Sequence, residues 1–393
     1  MVDETQIKKW LKEGIITQKQ ARKMLADTSQ HKKEQTSNNL IVTISTIGAI
    51  LLGIGAILFI ASNWQEIPNA IKVLILVGST FGAYYIGYLF KYQKQNLPKV
   101  GASLIFLGAL LFGATVFLIA QMYNINANNH TLVLIWLIGV LPLVYAFVSV
   151  PIAGLSSLLF FIWLGLFVFR NIDFDQAYGD FFALPVLYLV TGLLFFGVGG
   201  LHYLSDKFKN IARIYRLAGI KVALLSVFLL TFRFFSGNYE GHNIREGAAI
   251  STQFTTGLVI FSILAIICLV VNWFFNKAEE VSIIESPVSL GLIGIVLIFF
   301  FFPSTTNIYV VLFNLIFAAL VGVIIYAGYE REDMKLINLG GSWLSLFIVV
   351  KYFDFFWDLL SRSLFFMVGG LILVLGGIAL ERKRRQLKAQ FSA

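Results

Sequence analysis

Lys72 is the residue with the strongest claim to chemistry. It stands four residues after Pro68, and a proline suits the first turn of a helix, where its missing N–H is harmless. The spacing puts an ammonium at the positive end of a helix dipole, where a cation is disfavoured and an anion is wanted. Free backbone N–H groups beside that ammonium make a candidate site for a phosphate or a carboxylate. Two plainer readings compete: pairing with Glu66, or snorkelling of the side chain to lipid headgroups. Asn63 and Trp64 read as a helix cap and an interfacial anchor, and they complete this candidate site.

A second group lies near the carboxyl terminus. Lys351, Asp354, Asp358 and Arg362 recur at i, i+3, i+7 and i+11, one stripe of a helix, with Asp358 placed to pair with Arg362. The other faces carry Tyr352, Phe353, Phe355, Phe356 and Trp357, so an amphipathic piece lying in the membrane interface is expected. On a binding reading, Asp354 and Asp358 share an outer polar pocket with Glu66 and Lys72. On a catalytic reading, Glu66, Asp354 or Asp358 is the base of a transferase acting on lipid-linked sugars.

Other candidates carry less. The stretch 236–254 holds Glu240, His242 and Glu246 among glycines, too few ligands for a convincing metal site. Cys268 is alone and can form no internal disulfide. There is no P-loop and no HExxH, so neither a metal nor a cofactor is expected. Asn314 reads as an interhelical hydrogen-bonding residue.

The elements that must hold these residues follow from composition. The chain has 393 residues, 58% of them hydrophobic and only 13% charged, with 38 phenylalanines and a mean hydropathy of +0.82. No single water-soluble core hides that much apolar surface. Apolar runs near the ~20 residues needed to cross a bilayer occur at 40–61, 70–90, 99–121, 132–149, 151–169, 184–203, 218–235, 255–275, 287–302, 308–327, 337–353 and 363–380. The backbone in lipid must satisfy its own hydrogen bonds, which makes this an all-α, polytopic membrane bundle of about twelve helices. No acidic residue falls inside any of those runs, which counts against an ion-coupled carrier mechanism.

Orientation is set by lysine and arginine. With the amino terminus inside, all but Lys72, Arg170, Arg233, Arg245, Lys351 and Arg362 of the 30 basic residues fall on the cytoplasmic side. The net charge of +9 therefore reports topology and needs no nucleic acid. The expected organisation is a cytoplasmic leader and linker at 1–39, a membrane domain at 40–380 and a basic cytoplasmic tail at 381–393, in a bacterial cytoplasmic membrane. Small residues at Ala49 and Gly53, at Gly78 and Gly82, and at Gly369, Gly370, Gly376 and Gly377 are expected to let helices pack closely.

Residues 3–26 read as a helical hairpin. Ile7, Trp10 and Leu11 share a face, Gly14 ends the first helix, and Thr17 with Gln20 forms a capping box for the second. Such a leader suits docking of a cytosolic partner or of a second copy.

The leader around Trp10-Leu11-Lys12-Glu13-Gly14-Ile15-Ile16 precedes a glycine-rich span that closes in Ser62-Asn63-Trp64-Gln65-Glu66-Ile67-Pro68, with Lys72 opening the next. This pattern resembles the bacterial membrane proteins of the DUF2157 family over about residues 8–150. The segment Lys351-Tyr352-Phe353-Asp354, then Ser363-Leu364-Phe365-Phe366 and the basic tail, is similar to its longer members. The resemblance implies a multi-pass membrane protein and carries no established activity.

The sequence thus points to a non-enzymatic membrane protein handling an amphipathic or lipid-linked anion from the outer face, as carrier, flippase or binding component, with membrane lipids as partners. The transferase and a membrane scaffold or sensor are the rivals.

Overall fold

The computed structural model describes residues 42–55, 58–59, 67–125, 129–170, 179–236, 250–276, 281, 284–302, 307–330 and 334–356, with Thr17, Gln20, Ala21, Met367, 369–371, 374–378 and Arg382 around them. All regular structure among these residues is helical. The chain divides into two compact units, Ser37–Val310 and Met1–Thr36 with Val311–Ala393.

In the first unit, α1 is Val42–Gly55. α2 (Asn69–Tyr88) starts after Pro68, whose extended backbone marks the amino end, and it runs out through a π-helical turn at Leu89–Gln93. α3 (Pro98–Met122) carries its proline at the start, where no N–H is needed. Between α4 (Asn129–Phe147) and α5 (Val150–Arg170), Val148 takes a φ of 46°. A β-branched residue adopts that left-handed conformation only when its surroundings impose it. Pro151 announces this break in the sequence, and the structure sets it just before. The unit continues with α6 (Gly179–His202), α7 (Lys209–Leu230), a helical turn at Arg233–Ser236, α8 (Thr252–Phe275) and α9 (Glu285–Phe301).

α10 (Ile308–Glu330) and α11 (Met334–Phe356) follow. Close approach joins them: a Cβ on Gly328 would lie 2.8 Å from the backbone nitrogen of Ile337. The Phe317 ring sits 6.1 Å from Trp343 and 4.9 Å from Phe347.

Among the described residues, eight helices are long and apolar enough to cross a membrane: α2 to α6, α8, α10 and α11. Eight of the twelve expected stretches therefore meet that requirement outright. α1 and α9 are shorter apolar helices. α7 carries Lys209, Arg213 and Arg216 in its first half and Lys221 just past its midpoint. Large apolar side chains such as Phe81, Phe274 and Leu315 are exposed, the surface of a protein whose solvent is lipid.

Packing depends on backbone-to-backbone contact. At Gly192 an added Cβ would stand 2.9 Å from both Gly219 O and Ala223 N, and at Gly199 it would stand 2.8 Å from Arg216 N, so α6 and α7 run together along their lengths. Gly87 and Gly101 join α2 to α3 in the same way, helped by the Thr80 and Thr115 hydroxyls 3.1 Å apart. Trp136 Nε1 donates to Ala109 O at 2.9 Å, and the same indole lies over Gly113. Ala49 is buried with Ala83, Leu107 and Leu111, and Gly53 faces Leu107, so that small pair packs as expected. The Gly78/Gly82 pair does not: nothing lies within 4 Å of a Cβ built on either. Rotation about the helix axis turns that stripe outward. Gly369 meets the Tyr352 ring, whereas Gly370, Gly376 and Gly377 face open space.

The capping box in the leader is formed. Thr17 N–H donates to Gln20 Oε1 at 2.9 Å, and Gln20 N–H donates back to Thr17 Oγ1 at 3.4 Å. The remainder of the expected hairpin lies outside the described residues.

Candidate functional site

Of the residues proposed from the sequence, Asn63, Trp64, Glu66, Asp358 and Arg362 lie outside the described residues. Lys72 sits in the first turn of α2 and is buried, 6% exposed. Its backbone N–H closes the turn onto Pro68 O at 3.1 Å. The cation therefore stands at the amino end of the helix, as the spacing predicts.

Asp354 accepts from Lys351 Nζ at 2.9 Å, and Lys351 is itself buried. The expected pair of Asp358 with Arg362 lies outside the described residues, and on the same stripe the pair formed among the described residues is Lys351 with Asp354. Residues 351–356 also continue α11 rather than opening a separate interfacial helix. Apolar packing of Tyr352 against Gly369 holds them in the helix.

The expectation that no acid enters a span needs correction. α6 begins at Gly179, so Asp180 lies in its first turn, and it is 1% exposed. Ser251 donates to it twice, from its N–H at 2.7 Å and its hydroxyl at 2.6 Å. The Ser251 hydroxyl also accepts from Phe254 N–H at 3.1 Å and so caps α8. One carboxylate thus fastens the starts of α6 and α8, and both helix dipoles favour its charge. The rings of Phe181, Phe182, Phe234 and Phe235 crowd together beside it.

The opposite end of α6 holds a larger polar network. His202 Nδ1 lies 2.7 Å from Val198 O and Nε2 lies 3.1 Å from Tyr145 Oη. A carbonyl only accepts, so Nδ1 carries a proton and donates it to Val198 O. Tyr215 is hydrogen-bonded to both Tyr145 and Ser156. Arg216 pairs with Glu285, the first residue of α9, while its guanidinium lies 4.5 Å from the Phe196 ring centre. Asn272 of α8 and Asn276, which caps its carboxyl end, each donate at 2.6 Å to backbone carbonyls of α6, Gly197 and Gly200. Lys91 reaches across to Phe147 O at 3.2 Å, a cation at the carboxyl end of α4, where the dipole welcomes it.

Helix ends are tied together here, and each of these polar groups is satisfied by another protein group. Among the described residues no cluster of His, Cys, Asp and Glu has metal-site geometry. The sequence reading missed Asp180, His202, Arg216, Glu285, Asn272 and Asn276. Helical periodicity running past the charged flanks of 184–203 and 218–235 is the signal that marks Asp180 and Arg216, while His202 lies inside the first of these runs.

Residues 8–153 match the model of a family described as predicted membrane protein, DUF2157. The family resemblance read from the leader and first spans holds over that stretch. Neither a curated protein nor a solved structure matches the chain.

Proposed function

We propose that this membrane protein engages an amphipathic or lipid-linked anion at the outer face of a bacterial cytoplasmic membrane, as carrier, flippase or binding component. In this reading the chain crosses about twelve times with both termini inside. The shorter α1 and α9 and the basic α7 are then full partners of the eight longer spans. The observation that carries it is Lys72, buried at 6% exposure in the first turn of α2. A cation at that position works against the helix dipole, and a phosphate or carboxylate reaching the same turn meets an ammonium and the first N–H groups of the helix together.

The test is Lys72→Ala and Lys72→Glu in nanodiscs containing an anionic lipid. Binding of the anionic lipid is expected to weaken in the first and to weaken further in the second. Unchanged binding in both ends the anion reading. The transferase alternative loses ground from the Lys351–Asp354 pair, since a general base must be placed to reach its acceptor and this carboxylate is engaged by an ammonium of its own helix.

A scaffold role is favoured by one observation, the formed capping box at Thr17 and Gln20, which gives the leader an ordered helix start. Deleting residues 1–30 and looking for lost complexes, with membrane insertion intact, separates that role from anion binding.

A further inference from the structure

Lys221 stands at an unusual depth. It lies between Gly219 and Ala223, both of which touch Gly192 of α6, so the three share one level. α6 runs from Gly179 to His202, and Gly192 is close to its midpoint. A residue two positions from both Gly219 and Ala223 projects from the opposite side of the helix, and Lys221 is exposed accordingly. The inference rests on the proposed topology, in which α7 is a span: the ammonium then issues from the exposed, lipid-facing side of α7 near the middle of that span. About 15 Å of hydrocarbon, half of a ~30 Å core, separates that level from either headgroup layer. A four-carbon stem does not bridge it.

Lys221 is the deepest member of a row. Lys209, Arg213, Leu217, Lys221 and Leu225 recur every four residues and are exposed, which places them on one face of α7. Lys209 holds Asp206 at 3.0 Å at the end of the helix. Arg213 and Lys221 have no hydrogen-bonding or ionic partner among the described residues. They are separated by eight positions, about 12 Å along the axis, with Leu217 between them. Helical side chains lean toward the amino end, so Lys221 leans toward Arg213.

We infer that this face of α7 binds an anionic phospholipid of the leaflet bordered by His202 and Lys209, the inner one in the proposed orientation. The phosphate sits between Arg213 and Lys221 over Leu217, and an acyl chain runs along Leu225. The guanidinium fork suits phosphate oxygens, and the row of cations descends from the headgroup layer as a lipid headgroup would. Charge complementarity selects this occupant over a second copy of the chain. The described acids of the same unit, Asp180, Asp206 and Glu285, all lie at helix ends or beyond them, so this unit of a second copy offers none of them at the level of Lys221. The inference does not rest on the role given to Lys72, which is on another helix.

Native mass spectrometry of the full-length protein, titrated with phosphatidylglycerol and separately with phosphatidylcholine, tests it. Lys221→Leu is expected to weaken phosphatidylglycerol binding about fivefold or more and to leave phosphatidylcholine binding unchanged. Lys221→Arg keeps the charge and the binding, and Lys221→Leu is expected to give the same fold loss in a Lys72→Ala background, which separates this site from the one proposed at Lys72. The leucine variant removes a charge from lipid, so its insertion is favoured rather than impaired. Equal phosphatidylglycerol binding by wild type and Lys221→Leu overturns the inference. So does loss of a dimer in Lys221→Leu with lipid binding unchanged, which assigns the face to a second copy.

Discussion

Asp180 receives both donors of Ser251, the backbone N–H at 2.7 Å and the hydroxyl at 2.6 Å, while the same hydroxyl caps α8. This clasp joins the starts of two helices, and the asparagines at 272 and 276 join the same two helices at their other ends. α6 and α8 are thus fastened at both extremes, with apolar contact between.

Removing the carboxylate leaves two donors buried without an acceptor. Asp180→Ala is expected to cost about 2–3 kcal/mol, read as a lowered unfolding temperature of the detergent-solubilised protein. Ser251→Ala loses the cap and one donor and should cost less, on the order of 1 kcal/mol. If the serine change proves the more damaging, the carboxylate is not what holds the clasp.

The Arg216–Glu285 pair is partly buried, with side-chain exposures of 11% and 23%. Breaking it from one side strands a charge, so Arg216→Met alone should destabilise by about 3 kcal/mol. Replacing both partners by methionine removes the stranded charge and should recover most of that loss. Thermal unfolding of the two single variants and the double variant decides the matter. A double variant no better than the worse single one would mean that the pair is not the unit of interaction.

Helix existence was readable because an apolar run of sufficient length has few alternatives in lipid. Local chemistry was readable too: Pro68 and Pro98 mark helix starts, and Thr17 with Gln20 forms the expected reciprocal cap. The polar ends were hidden by the same criterion that exposed the spans. A hydropathy reading trims a run where its polar flank begins, so Asp180 fell before the run at 184–203 and Arg216 before the run at 218–235, although both helices continue through them. Partnership was hidden for another reason. Which glycine meets a neighbour depends on rotation about each helix axis, and a single glycine on each of two helices leaves no motif.

That contrast is testable. Gly219 has no room for a methyl group, because Gly192 O and Phe196 N occupy its place. Gly219→Ala should destabilise by about 1–3 kcal/mol through forced separation of α6 and α7. Gly78→Ala and Gly82→Ala meet nothing within 4 Å and should be neutral or slightly stabilising, since alanine favours helix over glycine by roughly 1 kcal/mol. A marked loss at Gly78 or Gly82 would show that this stripe has an occupant in the membrane.

The orientation underlies both proposed lipid contacts, and α3 offers a direct way to check it. Asn96 precedes this helix and Tyr123 follows it, both exposed. The helix between them, 25 residues long, spans about 37 Å at the α-helical rise, enough to separate the two faces of a bilayer. Cys268 is the only native thiol, so Cys268→Ser gives a clean background. In it, Tyr123→Cys should react with a membrane-impermeant maleimide added to intact cells, and Asn96→Cys should react only after the membrane is opened. The reverse pattern moves Lys72 to the inner face and Lys209 to the outer one. Labelling of both positions from one side would mean that α3 does not cross at all, and the level assigned to Lys221 would need an independent measure.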